Sequence, residues 1–162
     1  MSLHTDGAWS EGQVRRWGLE VPKEAVRVEG YLGLTAYARP LPVAFWVLPG
    51  LRLLPLTALR HLAGVAELRL RLRVPPDPGI WRVSFRQVHP IDEPDAVWLT
   101  PSGPVAVEYD VVSYSRRKVQ AKARLFGALF VGQVWGAPVP ARVATLRRLC
   151  PPETEVLEAP WN

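Results

Sequence analysis

Seventeen prolines in 162 residues cut this chain into short elements, and the hydrophobic period changes at those cuts. Proline lacks the amide hydrogen of a helix interior or central strand, so each one marks a boundary. Between them, residues 25–34 alternate weakly, and 43–48 form a compact apolar run before Pro49 and Gly50, which predicts two or three strands in the first third. Leu59, Leu62, Val65, Ala66 and Leu70 make a helical stripe entered at Thr57, while residues 68–74 alternate strictly. Leu and Arg are good helix formers, so a helix to about residue 70 is expected. Strands follow at 81–88, 96–99 and 105–112, separated by turn signals and read as a meander. From Ser115 the period becomes helical again, with Val119, Ala123, Phe126 and Phe130 on one side. A strand at 131–135, a helix at 140–149 and a short strand at 155–158 complete the pattern. Helix, three strands, helix, strand, helix is an α/β order with a central mixed sheet over residues 56–162, and residues 1–55 form a β-rich extension on the same core.

A chain of this length buries roughly 70% of the surface its unfolded form exposes, enough for one domain without a covalent staple. The lone Cys150 excludes an internal disulfide and a thiolate zinc site, fits a reducing cytosol, and reads as a small buried apolar residue. Residues 1–13 lack the basic start and apolar run of a signal peptide, so a cytoplasmic location is expected. Residues 41–59 are apolar apart from Arg52, yet Pro42, Pro49, Gly50 and Pro55 break any membrane helix there, which predicts strand and loop. Many prolines and a single asparagine suit a heat-adapted organism or a GC-rich genome. Of the seven tryptophans, Trp46, Trp81, Trp98 and Trp135 fall in strand patterns and are expected in the core, while Trp9, Trp17 and Trp161, in poorly patterned ends, are candidates for exposure or a dimer interface. His4 is expected in a disordered start, and His61 and His89 each stand alone in their segments as packed or capped side chains.

The charge excess, net +5, comes from 17 Arg against 3 Lys and favours a polyanionic partner, with nucleic acid first. Set against this excess, four carboxylates sit at suggestive places: Glu67 late in the first helix, Asp95 just before the second strand, and Glu108 and Asp110 on the third. Alternate strand residues share a face, so Glu108 and Asp110 project together and an antiparallel neighbour brings Asp95 beside them. Such a cluster repels itself unless a cation joins it. Hard oxygen ligands without Cys or His nearby point to Mg²⁺ or Mn²⁺. Solvated acids at strand ends, paired with the abundant arginines, are the competing account.

Pro94-Asp95, twelve residues, then Glu108-Tyr109-Asp110 on a Val-Ala-Val strand resembles the signature of the PD-(D/E)XK nuclease superfamily, whose restriction-endonuclease-like core has the element order read above. A closer resemblance is to the nuclease-like domain of replication-relaxation proteins of mobile elements: a segment similar to residues 61–67, a Pro-Asp strand, a segment similar to 105–110, and a Ser, Arg and Lys-bearing helix like 113–122. The resemblance spans about 95 residues and leaves the first 50 unexplained. It implies a DNA-processing protein, a Mg²⁺-dependent endonuclease in which Asp95 and Glu108 ligate the metal with Asp110 and Glu67 assisting. Many enzymes of this fold act as homodimers.

The superfamily's catalytic lysine would stand at Asp110, and an aspartate cannot replace a cation. Lys118 and Lys122, four residues apart on the following helix, are the substitutes, as in branches of the superfamily that move the lysine there. Arg116, Arg117, Lys118, Lys122 and Arg124 put five positive charges in nine residues, an expected DNA-contact face. The missing lysine equally fits a catalytically inactive DNA-binding or assembly module serving plasmid replication or transcription control.

Overall fold

The structure, a computed structural model, describes residues 3–85, 91 and 93–162. Two sheets flank one long helix. The first has strand order β1-β3-β2, built from β1 (Ala8–Ser10), β2 (Val26–Leu32) and β3 (Leu41–Val47), all antiparallel. Before it lie a short helix α1 (Leu3–Asp6) and, between β1 and β2, α2 (Glu11–Trp17). Ser10 and Gln13 form a reciprocal cap that satisfies two orphan donors at the start of α2.

The second sheet runs β4-β5-β6-β7-β8, from β4 (Trp81–Val83), β5 (Ala96–Thr100), β6 (Gly103–Tyr109), β7 (Gly132–Ala137) and β8 (Glu155–Glu158). β4, β5 and β6 are the antiparallel meander; β7 joins β6 in parallel through α4 (Arg116–Leu129), and β8 joins β7 in parallel through α5 (Pro140–Leu149). The expected mixed sheet and element order are present.

The remaining long helix, α3 (Leu56–Arg71), separates the layers. Leu59, Leu62, Ala63, Val65 and Leu68 of α3 share a core with Phe45 and Val47 of the first sheet and with Val107, Tyr109 and Val134 of the second. On the opposite sheet face, Ala106 and Trp135 pack against Val119, Ala123 and Phe126 of α4 and Val143 and Leu146 of α5. Two glycines set the closeness of α3 to the sheet: a Cβ on Gly64 would lie 2.0 Å from the Tyr109 ring, and one on Gly136 2.5 Å from Leu68.

The start of the chain departs from expectation. Leu3 is fully buried, and Asp6 pairs with Arg69 of α3 in a fork, Nε to Oδ1 at 2.7 Å and Nη2 to Oδ2 at 2.6 Å, while Trp9 donates to the same carboxylate. His4 therefore belongs to an ordered helix. Trp9 is buried among Leu3, Leu19, Ala66 and Leu70, and Trp161 is buried because residues 159–162 return beneath the first sheet: Ser10 donates its hydroxyl to the Trp161 carbonyl, Arg16 donates to the carbonyls of Pro160 and Asn162, and Trp161 stacks on Phe45. Trp46 and Trp98 are only half-buried. Of the strand expected at 81–88, β4 covers Trp81–Val83, and Ser84 adds one more bond by donating its amide hydrogen to the Asp95 carbonyl at 2.9 Å; residues 86–88 and His89 lie outside the described residues. Pro55, not Thr57, caps α3, and it offers no side-chain hydrogen bond. Residues 41–59 become β3, a single 3₁₀ turn at Pro49–Leu51 and the start of α3. Among the described residues no helix is long and apolar enough to cross a membrane.

Candidate functional site

Antiparallel pairing matches Ala96 with Val107, so one step further places Asp95 opposite Glu108 at the end of the sheet. Both are essentially excluded from solvent. Asp95 Oδ2 accepts the Tyr109 amide hydrogen at 2.7 Å, and Oδ1 lies 2.9 Å from His61 Nε2 on α3. Burial opposes ionisation of Asp95, yet the facing His61 and the Tyr109 amide hold its carboxyl below the usual aspartate range. His61 responds in kind: burial disfavours its charge, but Asp95 outweighs that and raises its pKa.

Glu108 projects toward α4, on the same strand face as Ala106. Its Oε1 accepts from Lys122 Nζ at 2.7 Å and from the Tyr114 hydroxyl at 2.8 Å, while Oε2 is buried with no hydrogen-bond partner. Burial, then the negative charge of Asp95, push this carboxyl up to about 8, against the pull of Lys122 and Tyr114. Burial and Glu108 likewise raise the Tyr114 phenol. The fold thus brings together a buried carboxylate pair, one lysine and one histidine, with Oε2 of Glu108 left unbonded.

Above it opens a cleft of about 630 Å³, lined by the first turns of α3, by His61 and by Tyr114, Lys118 and Lys122. Lys118 is exposed and sits 3.8 Å over the Tyr114 ring.

Asp110, expected with Glu108, shares its strand face but not its company. β6 ends at Tyr109, and the Asp110 carboxylate takes the Arg142 guanidinium of α5, Nε at 2.7 Å, together with the amides of Ser113 and Tyr114. These bonds hold Val112 at φ +68°, a left-handed conformation that costs a β-branched residue of the order of 1–3 kcal/mol. Asp110 therefore fixes the turn that delivers Tyr114 and α4 to the site.

Glu67 is also placed elsewhere. Six residues beyond His61 it points away from the cleft, where its fully buried carboxylate accepts from Gln13, Arg16, Trp17 and Arg71. It ties α2 to α3. The two lysines divide as well: Lys118 reaches solvent, whereas Lys122 is 1% exposed and committed to Glu108, which removes it from the expected DNA-contact face. Arg116, Arg117 and Arg124 remain exposed on α4. His61 was missed as a site residue because its partner lies 34 positions away, and no spacing rule links them.

Among the described residues no group of three or more His, Cys, Asp or Glu side chains is placed to hold a metal. Two carboxylates are nevertheless a sufficient protein share for Mg²⁺, which keeps several waters and takes further ligands from a phosphate. Compared with protein-family models, curated proteins and solved structures, the chain gives no match.

Proposed function

We propose that this chain is a DNA-processing protein with a restriction-endonuclease-like core that hydrolyses phosphodiester bonds with the help of Mg²⁺ or Mn²⁺. The reading rests on its resemblance to the PD-(D/E)XK superfamily and to replication-relaxation proteins. The observation that carries it is the contact of Lys122 Nζ with Glu108 at 2.7 Å, directly beside Asp95. A cation delivered from α4 supplies what Asp110 cannot.

The orphaned buried Oε2 of Glu108 fits a missing cation, since an unpaired carboxylate oxygen is otherwise costly to bury. Asp95 and Glu108 would hold the ion, and when bound it supplies charge neutralisation at the phosphodiester and lowers the pKa of an attacking water. Lys122 holds a positive charge against the same carboxylate, Tyr114 orients that carboxylate from the second side, and His61 fixes Asp95. The exposed Arg116, Arg117 and Arg124 of α4 would contact phosphates alongside the cleft.

A second reading, an inactive DNA-binding or assembly module, is favoured by one observation: His61 and Lys122 already balance the two carboxylates without any added ion. Nicking of supercoiled plasmid in Mg²⁺ or Mn²⁺ separates the two. The nuclease reading expects nicking by the wild type that is lost in Glu108→Gln and Lys122→Met while both remain folded. Binding that weakens log-linearly with salt, with no nicking in either metal, would establish the second reading instead.

A further inference from the structure

The cleft has a cation that neither carboxylate uses. Arg60, on the first half of α3, is 5% exposed and lines the cleft wall next to His61. Its Nη1 donates to the carbonyls of Gly33 and Thr35, each at 3.0 Å, in the connection between β2 and β3. That connection is itself pinned to the main sheet where Ala36 donates its amide hydrogen to the Val111 carbonyl at 2.8 Å. Arg60 Nε is buried with no hydrogen-bond partner, and no carboxylate lies within ion-pair distance of Arg60 among the described residues. A guanidinium has five donors and cannot shed its proton, so a buried one facing only carbonyls remains uncompensated.

A second, independent feature points the same way. The N-terminal turn of α3 opens on the same cleft through Thr57 and Ala58, and its cap, Pro55, brings no side-chain acceptor. The positive end of a 16-residue helix dipole therefore lies at the cavity wall, the Ala58 amide itself being held by the Pro55 carbonyl. Lys118 contributes a third positive charge from the opposite wall.

We propose that Arg60 and the N-terminal turn of α3 form a phosphate-receiving subsite beside the acidic pair, and that the β2–β3 connection exists in part to hold Arg60 in it. The proposal deepens the nuclease-like reading by naming where the strand's phosphate docks. It assigns the N-terminal extension a role: the carbonyls of Gly33 and Thr35 immobilise one edge of the guanidinium so that the other edge meets the anion in a fixed orientation.

The test is binding, measured with the full chain and with catalysis suppressed by Ca²⁺. A fluorescent single-stranded 12-mer is titrated against wild type, Arg60→Gln and Arg60→Lys at several salt concentrations, and inorganic phosphate is titrated while the Arg60 Nε–Hε resonance is followed by NMR. The expected results are an affinity about tenfold weaker in Arg60→Gln, a salt slope shallower by about one phosphate, partial recovery in Arg60→Lys, and a phosphate-dependent shift of the Arg60 resonance in wild type. Wild-type binding unchanged by either substitution, with no shift of that resonance, overturns the subsite and leaves the nuclease-like reading standing. Failure of the wild type to bind the oligonucleotide, with the resonance still moved by inorganic phosphate, overturns the nucleic-acid reading and keeps an anion site. Should Arg60→Gln fail to fold, Arg60→Lys and the wild-type resonance decide the matter.

Discussion

Replacing Gly64 by alanine sets two effects of opposite sign against each other, and the structure says which wins. In an exposed helix interior, Gly→Ala stabilises by roughly 0.8–1 kcal/mol. Here the new Cβ would lie 2.0 Å from Cε1 of Tyr109, far inside ordinary contact. The ring cannot step aside: Tyr109 is fully buried, its hydroxyl donates to the Ala159 carbonyl at 2.8 Å, and its amide donates to Asp95. Overpacking of this kind costs about 1–3 kcal/mol. The cost at this contact falls toward the upper end, leaving a net loss of about 1–2 kcal/mol and a fall in Tm of about 2–8 °C for a chain of this size. Urea denaturation followed by tryptophan fluorescence gives the number. Gly64→Ala combined with Tyr109→Leu should lose less than the sum of the two single changes, because the clash disappears. A more stable Gly64→Ala protein would refute the argument, since propensity alone would then govern α3.

Three further outcomes are expected. Burial and Asp95 push the Glu108 carboxyl up to about 8 from an ordinary 4.5, so the folded state keeps a proton that the unfolded chain loses between those values; without divalent cations the contribution of Glu108 to stability should be complete below pH 4.5 and be lost toward pH 8, by at most about 1.4 kcal/mol per pH unit, and Glu108→Gln should flatten that part of the pH dependence in thermal melts. Asp6→Ala strands Arg69 in the core without its fork and should cost about 3–5 kcal/mol in urea denaturation, whereas replacing both by leucine should cost far less. Burial pushes the Cys150 thiol up to about 12, so an aromatic disulfide reagent should label it in the native protein only at the rate of unfolding.

The main sheet and its helices were legible because each carries its own period. Val119, Ala123 and Phe126 announce α4, and the Pro-Gly turns announce the meander. The alternation at 68–74 misled less than it could have, because leucine and arginine propensity extended α3 to Arg71. The N-terminal segment was illegible for the opposite reason: α1 and β1 are four and three residues long, and what orders them is Asp6 reaching Arg69 across 63 positions. At the site, strand alternation correctly put Asp95 opposite Glu108 and Asp110 on the face of Glu108. It could not say that Arg142, 32 positions on, would claim Asp110, or that helix rotation would bury Lys122 while leaving Lys118 in solvent. Those outcomes depend on where α4 and α5 dock, information that no local pattern holds.

The return of residues 159–162 beneath the first sheet has a kinetic consequence. Ser10 meets the Trp161 carbonyl across 151 positions, and Arg16 reaches Pro160 and Asn162 across 144 and 146. Closing so long a loop is entropically expensive, and such pairings slow the search for the native state. The first sheet, made well before residues 159–162, can gain these contacts only once those residues emerge from the ribosome. Until then Phe45 lacks its stacking partner, and the hydrophobic underside of β1 and β3 is open to chaperones or to other nascent chains.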